Sequence, residues 1–233
     1  MKSRFGLKEW MSLLIIPVMY GCMYFAFWLT KSSLTVDIVD TIIRLSLMGV
    51  LIYLFRDTLK SQWISFRNLN KRKWFVIFGG AILLQIVISV TRIYAPSVEP
   101  KEVEMLKGLD FDVMKSSWSI YFIMLFTSLS PLATALIEDI TFKHTLLRKV
   151  LSNSAICNIL IVILNSILFG AIHYGNFGNS VINTIPFMAA GLFLNLVYLK
   201  TKNLWHVLLI HLINNFILGT FSLLPIGIFR LFM

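Results

Sequence analysis

The chain predicts an all-α, polytopic membrane helix bundle of about seven transmembrane helices (six to eight), with a cytoplasmic N-terminus. Three observations predict it. Of 233 residues, 58% are hydrophobic and 14% charged, and the mean hydropathy is +0.81, values of an integral membrane protein rather than of a soluble core. Seven apolar runs approach the roughly 20 residues that cross about 30 Å of hydrocarbon. Basic residues gather in alternate connections between these runs, as topology demands.

The runs are residues 10–30, 37–55, 74–94, 117–137, 155–173, 181–199 and 204–223. Lys2, Arg4 and Lys8 precede the first, as in a signal peptide. That run is too long for a signal's apolar core, and Thr30-Lys31-Ser32 is a poor cleavage site, so it reads as an uncleaved span. Arg56, Lys60, Arg67, Lys71, Arg72 and Lys73 fill the second connection. Lys143, Arg148 and Lys149 follow the fourth run, and Lys200 and Lys202 the sixth. The third connection instead sets Glu99, Glu102, Glu104, Asp110 and Asp112 against Lys101, Lys107 and Lys115. An N-terminus inside and a C-terminus outside satisfy this pattern, and the formal charge of +10 then reflects topology, with no nucleic-acid partner. The tryptophans lie mostly near run ends, as interfacial anchors do.

Residues 95–115, with Pro96, Pro100 and Gly108, form the longest outer connection and divide the chain. Residues 1–114 hold three helices and this loop, and 115–233 form a C-terminal membrane core; the tail beyond the last run is broken by Pro225 and Gly227. Cys22 and Cys157 stand far apart in apolar runs and read as small buried hydrophobes, not as a disulfide or metal knuckle.

Three polar clusters interrupt the C-terminal core. An ionisable group at membrane depth costs roughly 2.5–3.5 kcal/mol on insertion scales and usually marks a pathway or a reaction centre. In the first cluster Pro131 starts or breaks a helix. Glu138 and Asp139 are adjacent, so a helix points them about 100° apart and into different jobs. Asp139 precedes Lys143 by four residues, the favourable order for a helical ion pair, and so tethers it. Glu138 is left to face the interior, where a carboxylate partly removed from water suits a general base. The plainer reading is a charge cluster at a span end. In the second cluster His173 closes the fifth run before a Tyr174-Gly175-Asn176 turn, with Phe169 one helical turn earlier as a shield. The plainer reading is an interfacial histidine. In the third, His211 and Asn215 share a face within the last run; the plainer reading is an interhelical hydrogen-bond clamp. His206 points about 140° away and reads as uninvolved, and Asn214, about 60° off, only flanks. Arg44, with Asp37 and Asp40 nearby, reads as a structural partner of Asp40 at i,i+4.

A carboxylate, two imidazoles and a carboxamide can activate a water and stabilise an oxyanion. Alternatively Glu138, His173 and His211 hold a divalent metal such as zinc. If the fourth and fifth runs form a hairpin near Asn153, Glu138 and His173 differ in height by about 7–8 Å, which tilt or a kink must absorb.

The ordered triple resembles the CAAX protease and bacteriocin-processing intramembrane family (CPBP, or Abi), whose pattern is Glu-Glu-x-x-x-Arg, then Phe-x-x-x-His, then His-x-x-x-Asn or Asp. Phe169 to His173 and His211 to Asn215 fit fully, while the first motif reads Glu138-Asp139-Ile140-Thr141-Phe142-Lys143. The resemblance covers about residues 115–225. It implies an intramembrane endopeptidase acting on a membrane protein or peptide in the lipid bilayer of a bacterial cytoplasmic membrane, near the cytoplasmic side. In that scheme Glu138 activates water with His173, His211 and Asn215 hold the oxyanion, and Asp139, Lys143 and Phe169 support them. Lys143 cannot make arginine's planar two-pronged contact, which puts activity in question if that position holds substrate. The same resemblance admits a non-catalytic bacteriocin self-immunity protein, bound to the bacteriocin or its receptor. A small transporter with Arg44 and Glu138 along its path is opposed by the lack of an internal repeat and of paired broken spans.

Overall fold

Helix caps and apolar length set the elements of the computed structural model, which describes residues 5–95, 114–175 and 179–232. Helix α1, Leu7–Thr30, begins where Glu9 accepts the Gly6 amide and ends at Lys31 in the left-handed conformation. Helix α2, Ser33–Leu54, is capped by the Ser32 hydroxyl, which accepts from the Thr35 amide. The chain then bends by 77° into α3, Arg56–Arg67. The second connection is thus largely helical; its apolar residues Leu59 and Phe66 are buried while its charges stay outside. Helix α4 is Arg72–Tyr94.

Helices α5, Trp118–Thr127, and α6, Ser130–Glu138, continue through a π-helical segment, Asp139–Leu147, into the short α7, Arg148–Val150. Pro131 sits in the first turn of α6, where its missing amide costs nothing. Helices α8, Ala155–Ala171, α9, Val181–Thr201, and α10, Leu204–Phe216, are capped by Ser154, Ser180 and Asn203. Helix α10 passes through a π turn, Ile217–Phe221, into α11, Ser222–Arg230, so the tail extends the last helix despite Pro225.

Every predicted run lies largely within an apolar helix. Among the described residues five helical stretches are long and apolar enough to cross a membrane, the bent α2–α3 pair is a sixth, and α8 is a shorter apolar helix. The acidic third connection, apart from Lys115, falls outside the described residues, as do Lys2, Arg4 and Asn176. Burial is inverted relative to a soluble protein. Phe75 is 81% exposed and Ile93 74%, whereas Lys143 and Asp139 are 0% exposed. Such an arrangement fits a bundle solvated by lipid and wet only inside. The chain is a multi-pass membrane protein. One apolar cluster joins Ile15, Leu51 and Leu84 of the first three spans to Ile137, Phe169, Leu194 and Ile210 of the C-terminal core. Cys22 is half-buried and Cys157 exposed; the latter faces the outside of α8 instead of the core.

Candidate active site

Six helices, α2, α4, α6, α8, α9 and α10, line a cavity of about 320 Å³. Glu138, the last α-helical residue before the π segment, His173, His211 and Asn215 all line it. Glu138 is 2% exposed and its Oε1 lies 3.8 Å from Nε2 of His173. His173 stands beyond the end of α8 in a turn closed by its own amide donating to the Gly170 carbonyl. The Tyr20 hydroxyl donates to the neighbouring Ile172 carbonyl at 2.5 Å, so α1 helps fix the turn. The predicted height mismatch is met here: His173 has left the helix and meets Glu138 from a loop. Its ring rests against Phe187 of α9, at 4.5 Å between centroids, and against Phe169, at 5.8 Å. Phe169 therefore shields both histidines, since it also packs 6.0 Å from His211.

Asp139 points away from Glu138, as the spacing predicts, but its partner is not Lys143. Asp139 Oδ2 lies 3.3 Å from Nδ1 of His211. Asp139 is completely buried and lines no part of the cavity, so it positions the imidazole from behind. Lys143 instead lies 4.1 Å over the Phe169 ring and donates to the Gly191 carbonyl at 3.4 Å. The expected Asp139–Lys143 ion pair fails because the backbone winds as a π-helix from Asp139 onward. With i→i+5 pairing, the residue four positions on no longer stacks over its partner. Lys143 is thereby a brace between the π segment, α8 and α9.

Asn215 donates from Nδ2 to the Pro131 carbonyl at 3.0 Å, tying α10 to the start of α6 and leaving a second N–H. The π segment is pinned by Asn165, which donates to the Phe142 carbonyl at 3.0 Å. Glycines permit the close approach of α8 to α9: a Cβ at Gly191 would meet Phe169 at 2.9 Å, and one at Gly170 would meet Met188 at 2.2 Å.

Two residues carry more than their spacing announced. Arg44 pairs with Asp40 at 2.6 Å as expected, yet it also lines the cavity. A charge in the middle of an apolar run was the signal for this. Asn214 is buried and faces both this cavity and a groove of about 620 Å³ between α4 and α10, which is apolar except for Gln85, Ser89 and Asn214. His206 is buried and packs edge-on against Phe66, away from the cavity.

Glu138, His173 and His211 line one cavity but are not drawn together as a metal-holding trio. Among the described residues no three His, Cys, Asp or Glu side chains converge as a metal-holding group. Nδ1 of His211 is turned to Asp139, and Glu138 faces His173 at 3.8 Å. The site is also not at the basic end of the bundle. His173 follows the far end of α8, whereas Arg148 and Lys149 stand just before its start, about 25 Å away for a helix of this length.

Residues 117–217 match the model of the family described as Rce1-like, the type II CAAX prenyl endopeptidases. Over that stretch the chain is similar to the CAAX protease family. The matched segment contains Glu138, His173, His211 and Asn215 and stops short of the first three spans. No curated protein and no solved structure matches the chain.

Proposed function

We propose that the protein is an intramembrane endopeptidase that hydrolyses a peptide bond of a membrane-associated protein or peptide. The observation that carries this reading is the meeting of Glu138, His173, His211 and Asn215 on one cavity inside an otherwise apolar bundle. Glu138 takes a proton from a water molecule while His173, 3.8 Å away, orients that carboxylate. The resulting hydroxide attacks the carbonyl carbon. Negative charge moves to the carbonyl oxygen, where His211 and the second N–H of Asn215 donate to it. Glu138 then returns its proton to the departing amine as the C–N bond breaks. Asp139 accepts from Nδ1–H of His211 and stabilises the doubly protonated ring, which also carries Nε2–H as the donor to the oxyanion. If the basic connections face the cytoplasm, the site lies in the outer half of a bacterial cytoplasmic membrane.

The test compares membrane-proteome cleavage sites in cells with wild type, Glu138→Gln and His211→Ala at matched abundance. Cleavages that appear only with wild type support the peptidase and name its substrate. Identical maps, with a toxin-resistance phenotype intact in both variants, overturn it and leave a bacteriocin-immunity protein that binds without hydrolysis.

A further inference from the structure

Among the described residues Arg44 is the one Lys or Arg that lines the cavity, and it is 7% exposed. It is clamped from two sides. Its Nε donates to Asp40 Oδ2 at 2.6 Å, and its Nη1 donates to the Thr134 hydroxyl at 2.7 Å. The clamp is itself held: Ser130 donates to the same Asp40 oxygen at 3.3 Å, and Thr134 donates to the Ser130 carbonyl at 2.8 Å. A guanidinium has five N–H donors, and these contacts use two. The rest, including both on Nη2, meet no acceptor among the described residues. A brace between α2 and α6 needs no more than the Asp40 and Thr134 bonds, and it has no reason to keep a fork of donors on a cavity wall. The cavity has apolar walls from Leu84, Ile88, Ala190 and Leu194, and Glu138 is the carboxylate on its lining. Donors in such surroundings are costly unless an acceptor comes to them. A planar guanidinium presents paired N–H groups that match a carboxylate. Thr134 lies four residues before Glu138 on the same helix face, about 6 Å along its axis. A carboxylate at Arg44 thus sits within reach of the site where water is activated.

Resting on the hydrolase reading above, we infer that Arg44 is the carboxylate-binding residue of this cavity. Its clamped guanidinium receives a substrate carboxylate, either a chain-terminal α-carboxylate or an Asp or Glu side chain, and so selects which peptide bond meets Glu138. Arg44 is a specificity residue rather than a partner in bond breaking.

The test measures equilibrium binding to the purified full chain in nanodiscs, using fluorescent apolar tetrapeptides. One ends in a free carboxylate, one is its C-terminal amide, and one is the amide with a single Asp. The Glu138→Gln variant is used throughout, so the outcome does not depend on turnover and its failure is distinct from failure of the hydrolase reading. At least one carboxylate-bearing peptide should bind ten-fold or more tighter than the plain amide, and which one does so identifies the source. Adding Arg44→Gln should bring it to the amide's affinity while leaving the amide's own unchanged. Arg44→Lys, which keeps the charge but not the fork, should fall between. Equal binding of all three peptides overturns the inference without needing any Arg44 variant. An Arg44→Gln loss that is equal for acid and amide also overturns it, and points to a structural or oxyanion role.

Discussion

Two buried charge clusters occupy the single long stretch from Trp118 to Val150, and they contain similar residues with different fates. Near its middle, Glu138 and Asp139 meet His173, His211 and, across the cavity, Arg44. Near its end, Lys149 pairs with Glu9 of α1 at 3.1 Å, and Glu9 also accepts the Gly6 amide at 2.9 Å. Around that pair Ser12 donates to Thr145 at 3.0 Å, and Thr141 donates to the Ser12 carbonyl at 3.1 Å. None of these groups lines the cavities described above. The Glu9 cluster is closed: its polar atoms are spent on one another and on the seam between α1 and the π segment. The Glu138 cluster is open, because Glu138, His173 and His211 line a cavity. Charge at membrane depth is therefore not enough to define a site; charge with unspent hydrogen-bonding capacity and a cavity is.

The sharpest way to break this contrast is Glu138→Gln. The substitution is nearly isosteric and removes the group that takes water's proton. Cleavage of any wild-type-dependent peptide bond should fall about 10³-fold at unchanged abundance, measured as turnover per folded molecule. Retained turnover would move the chemistry elsewhere. Asn215→Ala comes next. It removes a donor to the developing oxyanion, and kcat should fall by about 10² to 10³-fold with a smaller change in KM. A rise in KM alone would recast Asn215 as a binding group.

Asp139→Asn is milder. His211 keeps its packing against Phe169 but loses the carboxylate that orients its ring and stabilises its doubly protonated form. Activity should drop roughly 10 to 100-fold. An equal loss of thermal stability and activity would place Asp139 with the closed cluster instead.

The helices and the motif residues were legible because both follow from local pattern. Apolar length located every span, and Pro131, Glu138, His173 and His211 stood out against it. The partners of Asp139 and Lys143 were not legible, because pairing by sequence assumes α-helical winding and the segment winds as a π-helix. The role of Arg44 was half legible. Its spacing gives the Asp40 pair, but only the packing of α2 on α6 brings Arg44 to the cavity wall. The bend into α3 was hidden for a similar reason. Residues 56–67 are too charged to look like a span, and their amphipathic face becomes informative only once a bundle exists to receive Leu59 and Phe66.

The smallest catalytic effect is expected at the closed cluster. Glu9→Gln leaves Lys149 without its counter-charge in a setting where the two side chains are only 5% and 14% exposed. Removing one partner of a buried pair costs about 3–5 kcal/mol, whereas replacing both by apolar groups is often neutral. Unfolding in mild detergent should therefore come markedly earlier for Glu9→Gln and return toward wild type for Glu9→Gln with Lys149→Met. Turnover per folded molecule should stay within about two-fold in both, since no atom of the pair reaches the cavity. Were Glu9→Gln to stop cleavage while unfolding like wild type, the closed cluster would be coupled to the open one through the π segment they share. The separation between brace and site would then be one of geometry only, not of function.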